Sequence, residues 1–418
     1  MSVEKLKHEV CQMIDGLRGE LIQASHAIHA HPELAFEERF AASLLCDAVE
    51  KHDLKVERGA FGLETAYVSE FGPNHGPTMS LLSEYDALPG IGHACGHNII
   101  ATIGLGSALA LSKLGGRLNG RVRYLGTPAE ERGGGKEVMA QHGAFDGVDA
   151  SMMVHPAGFD MVSMPVIALA EVEVIYHGRA AHASAVPFRG LNALDALITA
   201  YQTIAQLRQH IQQSERIHGI VTEGGLAPNI VPERAAGRFY VRAVNGIELA
   251  ALKKRVQACF EAGALASGTR LETKWGRVDC LDLKTNWTLA NAYEANAKKL
   301  GRELIDPSLL PVGLTGSTDM GNVSHRVPSI HPLIAVSPPS VVIHNAEFTE
   351  YAKSERGDQA IIDGAKALAM TTLDYFDSRK MREDAKSEFE STKDLSKSAV
   401  RSAYHKEGVL MAGGCGCC

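Results

Sequence analysis

The chain has 418 residues, 45% hydrophobic and 22% charged, a balance that excludes a disordered or fibrous protein. Its 42 basic and 49 acidic residues leave a net charge of −7, which argues against nucleic acid as a partner, because a phosphate-binding surface shows as a basic excess. No run approaches the roughly 18 consecutive apolar residues of a membrane helix, and residues 1–8 lack the apolar core of an export signal; a cytoplasmic protein without a membrane partner is expected.

Leu6, Val10, Met13, Ile14, Leu17, Leu21 and Ile28 recur at helical spacing and predict a helix over 2–29. His31-Pro32 breaks it, since the residue before proline is pushed out of the α region. A second helix is expected over 36–52. Strands are expected at Thr78–Leu82, Gly120–Leu125 and Ala150–Val154, alternating with helices at Ile99–Leu114 and Lys136–His142. This alternation predicts a mostly parallel sheet covered by helices, an α/β fold. Near residue 169 the texture changes. Leu169–His177 alternates like a strand with one wet face. A helix from Asn192 to about Gln213, strands near His218–Thr222 and Gly237–Val244, a helix at Gly246–Ala262 and a strand at Arg270–Trp275 follow. That order, strand-helix-strand-strand-helix-strand, fits an inserted ferredoxin-like α+β domain. The α/β pattern resumes after about 285, with Pro307–Leu310 and Ile330–Val336, and closes on a helix from Ser354 to about Phe376. The expected division is 1–168 and 285–376 for the larger domain, 169–284 for the insert, and 377–418 for a charged C-terminal tail that is either a solvated helix or loose. Cys11, Cys46, Cys259 and Cys280 are scattered and read as reduced thiols. Cys415, Cys417 and Cys418 read as a frayed end rather than a lipidation or metal signal.

Chemistry concentrates where the expected strands end. Ser83-Glu84-Tyr85-Asp86-Ala87-Leu88-Pro89 puts two carboxylates at the carboxyl end of a parallel strand, where α/β sheets hold ligands; a polar loop with an Asx turn is the bland alternative. His93-Ala94-Cys95-Gly96-His97-Asn98 brings a thiol and an imidazole near one point. That pair suits a divalent cation, a Cys–His nucleophile, or a buried thiol beside an ordinary His. Gly126-Thr127-Pro128-Ala129-Glu130-Glu131 ends another strand with adjacent carboxylates, which repel unless a cation or separate tasks divide them. The following Gly133-Gly134-Gly135-Lys136 is not a phosphate loop, because Glu137 stands where Ser or Thr is needed. His155 follows a third strand, and His344 follows the apolar run Val341-Val342-Ile343. His29, His31, His325 and His331 are further candidates that each read as structural when taken alone. In the insert, His182 sits on a Gly/Ala-rich turn and Asn229 in the rigid loop Pro228-Asn229-Ile230-Val231-Pro232.

Together these blocks resemble the M20 metallopeptidase/amidohydrolase family, specifically its D branch of aminobenzoyl-glutamate hydrolases, auxin-conjugate hydrolases and aminoacylase-1-like proteins. The matching segments run in order from about His31 to Gly364: His31-Pro32-Glu33-Leu34, Tyr85–Pro89, His93–His97, Thr127–Glu131, Ala181-His182-Ala183-Ser184, Asn192–Ala196 and Asn229–Pro232. The resemblance implies an exopeptidase-like catalytic domain with an inserted lid and dimerisation domain, and two divalent metal ions, zinc or manganese. Cys95, His97, Glu131, His155 and His344 match the family's metal ligands. Glu130 matches its general base and Asp86 a residue that orients the site. His182 matches a lid histidine that reaches the active site of the other protomer in related dimers, and Asn229 a residue contacting the substrate's carboxylate end. Two departures stand out. Asn98 replaces the usual Asp after the Cys-Gly-His block, and Ser317-Thr318-Asp319-Met320-Gly321-Asn322 replaces the usual Glu-Asp-Phe segment. Both point away from auxin conjugates and toward the aminobenzoyl-glutamate and aminoacylase-1-like-2 subgroup. The expected activity is hydrolysis of the amide bond of N-acyl amino acids or small dipeptide-like conjugates by a homo-oligomer. A dipeptidase or carboxypeptidase of the same family, a non-catalytic metal-binding member of the scaffold, and a metal-free cysteine hydrolase are the alternatives.

Overall fold

A computed structural model describes residues 2–309 and 316–409. Leu310 of the expected Pro307–Leu310 element and the three C-terminal cysteines lie outside the described residues. The chain divides into two compact units. Among the described residues, one comprises 2–166, 283–309 and 316–397, the other 167–282 and 398–409.

The larger unit begins with α1 (Val3–Ala30) and α2 (Arg39–Lys51), then β1 (Glu57–Arg58), β2 (Tyr67–Phe71) and β3 (Thr78–Ser83). Next come α3 (His97–Ser112), β4 (Arg121–Gly126), α4 (Gly135–Gln141), β5 (Ala150–Met152) and β6 (His155–Ala157). The insert carries β7 (Ala168–His177), α5 (Ala193–Leu207), β8 (Arg216–Glu223), β9 (Arg234–Ala243), α6 (Gly246–Ser267) and β10 (Arg270–Trp275). The chain then runs through α7 (Trp287–Lys299), α8 (Met320–Ser324), β11 (Ser329–Ile330), β12 (Leu333–Ala335), α9 (Ala346–Tyr351), α10 (Glu355–Asp377), α11 (Arg379–Glu390) and α12 (Lys393–Ala403). The charged C-terminal stretch is thus largely helical. Among the described residues, no helix is long and apolar enough to cross a membrane.

The main sheet has the order β1-β2-β4-β3-β5-β11. β4, β3, β5 and β11 are parallel; β2 runs antiparallel to both of its neighbours, β4 and the edge strand β1. Side chains alternate across it, as the two-residue strand period requires. Leu81, Tyr124 and Met152 enter one core with α1, α3 and α10, while Leu82, Leu125 and Met153 enter a second core with Met139 and Met320. Helix α3 is apolar all round because it is buried over nearly its whole length.

In the insert, the antiparallel sheet β10-β7-β9-β8 is backed by α5 and α6, the ferredoxin-like order expected from the pattern. Asn192 and Asn245 cap the two helices through their side-chain oxygens. Helix α5 stops at Leu207, short of the expected Gln213, where the chain tightens into a 3-10 turn over Arg208–His210. The ends of the insert are stitched together: Leu169 and Cys280 exchange backbone hydrogen bonds of 2.9 Å in both directions.

Candidate metal centre

The parallel pairing of β3 with β4 aligns Ser83 with Gly126, so the loops that follow leave the same sheet edge side by side. The backbone N–H of Thr127 donates to the Ser83 carbonyl at 2.8 Å and holds them there. β5 lies on the other side of β3, and His155 starts the short β6 just beyond it. Cys95 and His97 arrive at the head of α3. His97 is the first residue of that helix, two residues earlier than the periodicity indicates. Gly96 between them has φ +76°, and a Cβ there would lie 2.5 Å from Pro156 Cγ, so this close approach requires glycine.

The donors converge. Ligand atoms of Cys95, His97 and His155 lie within 4.8 Å of one another, as do those of Cys95, Glu131 and His344, so the two triads share one thiol. Glu130 and Glu131 form a third such group with His97. The His97 Nε2, the His344 Nε2 and both carboxylate oxygens of Glu131 are buried without a hydrogen-bond partner. Buried polar atoms are normally satisfied, and a convergent set of thiol, imidazole and carboxylate donors left open in this way fits divalent cations.

Each imidazole is oriented by its other nitrogen. His97 Nδ1–H donates to Asp86 Oδ1 at 3.0 Å, and His155 Nδ1–H donates to the Pro156 carbonyl at 2.8 Å. Both rings therefore turn Nε2 toward the centre, where the neutral ring would present a lone pair, the arrangement that carboxylate and carbonyl partners impose on metal-binding histidines. The His155 Nε2 is 3.3 Å from Cys95 Sγ. Asp86 does double duty, because its Oδ2 accepts the Glu131 backbone N–H at 2.9 Å. Strain is concentrated here too. Ala129 (φ 61°) and His344 (φ 65°) both occupy the left-handed region, at a cost of about 1–2 kcal/mol each. The Ala129 N–H is held by Glu38 Oε1 at 2.8 Å, and the His344 N–H donates to the Ala94 carbonyl at 2.9 Å.

The electrostatics reflect crowded acids and bases. Burial, then Glu84 and Glu131, push Glu130 well above the usual carboxylate range. Burial and the neighbouring Cys95 push Glu131 up to about 7. Burial would lower His344, but contacts with Cys95 and Glu131 outweigh it and raise it to about 10. His97 likewise rises despite burial, through Cys95 and Asp86. Glu38 goes up to about 8, through burial and then the Asp86 charge.

A second cluster escapes a motif-based reading. Lys136, on α4, is fully buried. Its Nζ contacts Asp319 Oδ1 at 2.5 Å and also Glu84 Oε1. Its backbone N–H donates to Asp319 Oδ2 at 2.9 Å. Glu84, Asp319 and Glu130 form a further group of converging carboxylates, so Lys136 supplies positive charge beside Glu130. The Glu-Glu doublet, the polar departure at 317–322 and the rejected Gly-Gly-Gly-Lys loop meet in one network.

The remaining expected residues lie elsewhere. His182 and Asn229 are both exposed on the insert. Their loops are joined by backbone hydrogen bonds from Ala183 N–H to Asn229 O and from Val231 N–H to Ala181 O, each 3.0 Å. His29 contacts the Thr349 carbonyl at 2.8 Å, His31 the Ala27 carbonyl at 2.9 Å, and His325 the Ser396 hydroxyl at 3.2 Å. His331 is different. It is buried, its ring lies 5.3 Å from that of His155, and neither nitrogen has a hydrogen-bond partner.

A family model described as peptidase family M20/M25/M40 matches residues 80–373. The chain is 39% identical over 408 residues to the Xaa-Arg dipeptidase of Mus musculus, covering 93% of each chain. It is 28% identical to a component of the p-aminobenzoyl-glutamate hydrolase of Escherichia coli strain K12, covering 87% of this chain and 90% of that one. Its fold is similar to that of a dinuclear metal binding peptidase of the M20 family from Bacillus subtilis, with a TM-score of 0.63 at 20% identity over 87% of this chain and 99% of that one.

Proposed function

The chain belongs to peptidase family M20/M25/M40, and from that premise we propose that it hydrolyses the amide bond of N-acyl amino acids or small dipeptide-like conjugates. The observation that carries this reading is the pair of donor triads sharing Cys95, with Glu130 beside them. Cys95, His97, Glu131, His155 and His344 would hold two divalent cations, zinc or manganese. When bound, such ions polarise the scissile carbonyl and lower the pKa of a coordinated water from 15.7 toward about 7. Glu130 takes the proton of the attacking water and returns it to the leaving amine nitrogen. Asp86 fixes the His97 ring and the Glu131 backbone, and Lys136 offsets the negative charge that would otherwise gather around Glu130.

His182 and Asn229 stand on hydrogen-bonded neighbouring loops, which supports their acting on one substrate. Asn229 contacts its carboxylate end, and His182 donates to the developing oxyanion in the other protomer of a homodimer. An oxyanion donor typically lowers the barrier by about 3 kcal/mol. The Xaa-Arg dipeptidase relative favours a dipeptidase as the second reading.

The test is a hydrolysis screen over N-acyl amino acids, aminobenzoyl-glutamate and dipeptides, with and without chelator. Chelator should abolish turnover, and Mn²⁺ or Zn²⁺ should restore it. Glu130→Gln should lower kcat by about three orders of magnitude or more, while the protein still binds metal. Chelator-resistant hydrolysis, or full turnover by Glu130→Gln, overturns the assignment.

A further inference from the structure

Beside the metal centre lies a cavity of about 200 Å³. His155 forms part of its wall, so the cavity opens onto the candidate ligands. The rest is strongly apolar, with Phe159, Met164, Leu333, Val341 and Val342 as its larger side chains. Among the described residues, no Asp, Glu, Lys or Arg lines it. Its polar fixtures are Ser317, Thr318 and His331, and His331 is 3% exposed with both ring nitrogens unpartnered. An apolar cavity of about 150 Å³ takes up benzene, so this one has room for a ring or a short aliphatic chain.

We propose that this cavity seats the acyl side of the substrate and selects an uncharged ring or alkyl chain over one ending in an ammonium, with His331 as the hydrogen-bonding anchor for a polar substituent. This rests on the amidohydrolase reading above and names its acyl specificity. The physical reason is desolvation. An alkyl or aryl group gains about 25 cal/mol for each Å² it removes from water, whereas an ammonium moved into an apolar wall without a counter-charge loses several kcal/mol of hydration. The buried carboxylates of Glu84, Glu130 and Asp319 do not line the cavity, and Lys136 already faces two of them. The neutral imidazole of a histidine offers one donor and one acceptor, enough to recognise an aryl amine or hydroxyl.

The experiment uses a nearly isosteric pair, the hexanoyl and 5-aminopentanoyl conjugates of one amino acid, which differ by CH₃ against NH₃⁺. Wild-type protein should prefer the hexanoyl conjugate by about 100-fold in kcat/KM. Met164 is half-buried in the wall, so Met164→Glu should narrow that ratio at least tenfold by supplying the missing counter-charge. A wild-type ratio near one, or a ratio unmoved in Met164→Glu, overturns the proposal. Calorimetric binding of hexanoate and 5-aminopentanoate to the metal-free protein separates the two readings. Selective hexanoate binding without hydrolysis of either conjugate keeps the cavity assignment and refutes the amidohydrolase one. Hydrolysis of both conjugates with equal binding of both acids does the reverse.

Discussion

Asp86→Asn isolates the orienting layer of the site from its ligands. The native carboxylate accepts two hydrogen bonds, from the His97 ring and from the Glu131 backbone, in a position only 1% exposed. An asparagine of the same shape can keep one of them. If its oxygen faces His97, its amide N–H₂ faces the Glu131 N–H, donor against donor; if it flips, His97 loses its acceptor and the tautomer that leaves Nε2 open. Either way one charge-assisted bond is lost, about 1.5–3 kcal/mol, which converts to about ten- to hundred-fold in affinity. The same range is found when outer partners of ligating histidines are removed. The assay is competition for Zn²⁺ or Mn²⁺ against a chelator of known affinity, followed by metal content and thermal unfolding of the metal-free protein. The expected result is weaker metal binding with a modest change in unfolding temperature. Metal affinity within twofold of wild type would refute the claim that Asp86 sets the ring orientation and not just local packing.

Lys136→Met removes one partner from a fully buried charge cluster. Stranding Glu84 and Asp319 should destabilise the protein by about 3–5 kcal/mol, read as a shift of the urea midpoint. The double variant Lys136→Met/Asp319→Asn should lose less than the sum of the two single changes. Glu38→Gln tests the acid that clamps Ala129. Its folded pKa is about 8 against an ordinary value of 4.5. Between those values the folded state keeps a proton that the unfolded state has released, so this group makes stability fall as pH rises, by up to about 1.4 kcal/mol per pH unit. Metal-free wild type should therefore lose about 2–4 kcal/mol relative to Glu38→Gln between pH 5 and pH 8. Parallel stability curves would show that Glu38 is ionised in the fold.

The legible parts of this molecule are those that a short window can carry. The periodicity of 2–29 anticipates α1 (Val3–Ala30), and the alternation of 169–177 anticipates β7 (Ala168–His177). The candidate ligands each stand in a local block at a strand or helix end, and chain order links them to the family. What escaped has the opposite character. Lys136 bonds to Asp319 across 183 residues, and nothing near Lys136 in sequence reports that α4 turns it inward. Glu38 has the appearance of an ordinary helix-surface acid. It is buried because the chain turns at Phe36 (φ 67°) and aims the carboxylate at Ala129 and Thr65. The antiparallel strand β2 (Tyr67–Phe71), between β1 and β4, is short, and its burial alternates only partly, so it gives a weak two-residue signal. His331 reads as an isolated histidine until the fold sets it beside His155.

The paired residues Leu169 and Cys280 have an evolutionary consequence. To the host sheet, a segment whose entrance and exit are laced together behaves as one closed loop, whatever its content, and lengthening such a loop costs little in chain entropy. Residues 275–279 of that segment also exchange backbone hydrogen bonds with 403–409, so swapping it for that of a relative carries the C-terminal stretch with it. Substrate preference could diversify through such exchanges while the strand ends that carry Cys95, His97, Glu131 and His155 are inherited unchanged.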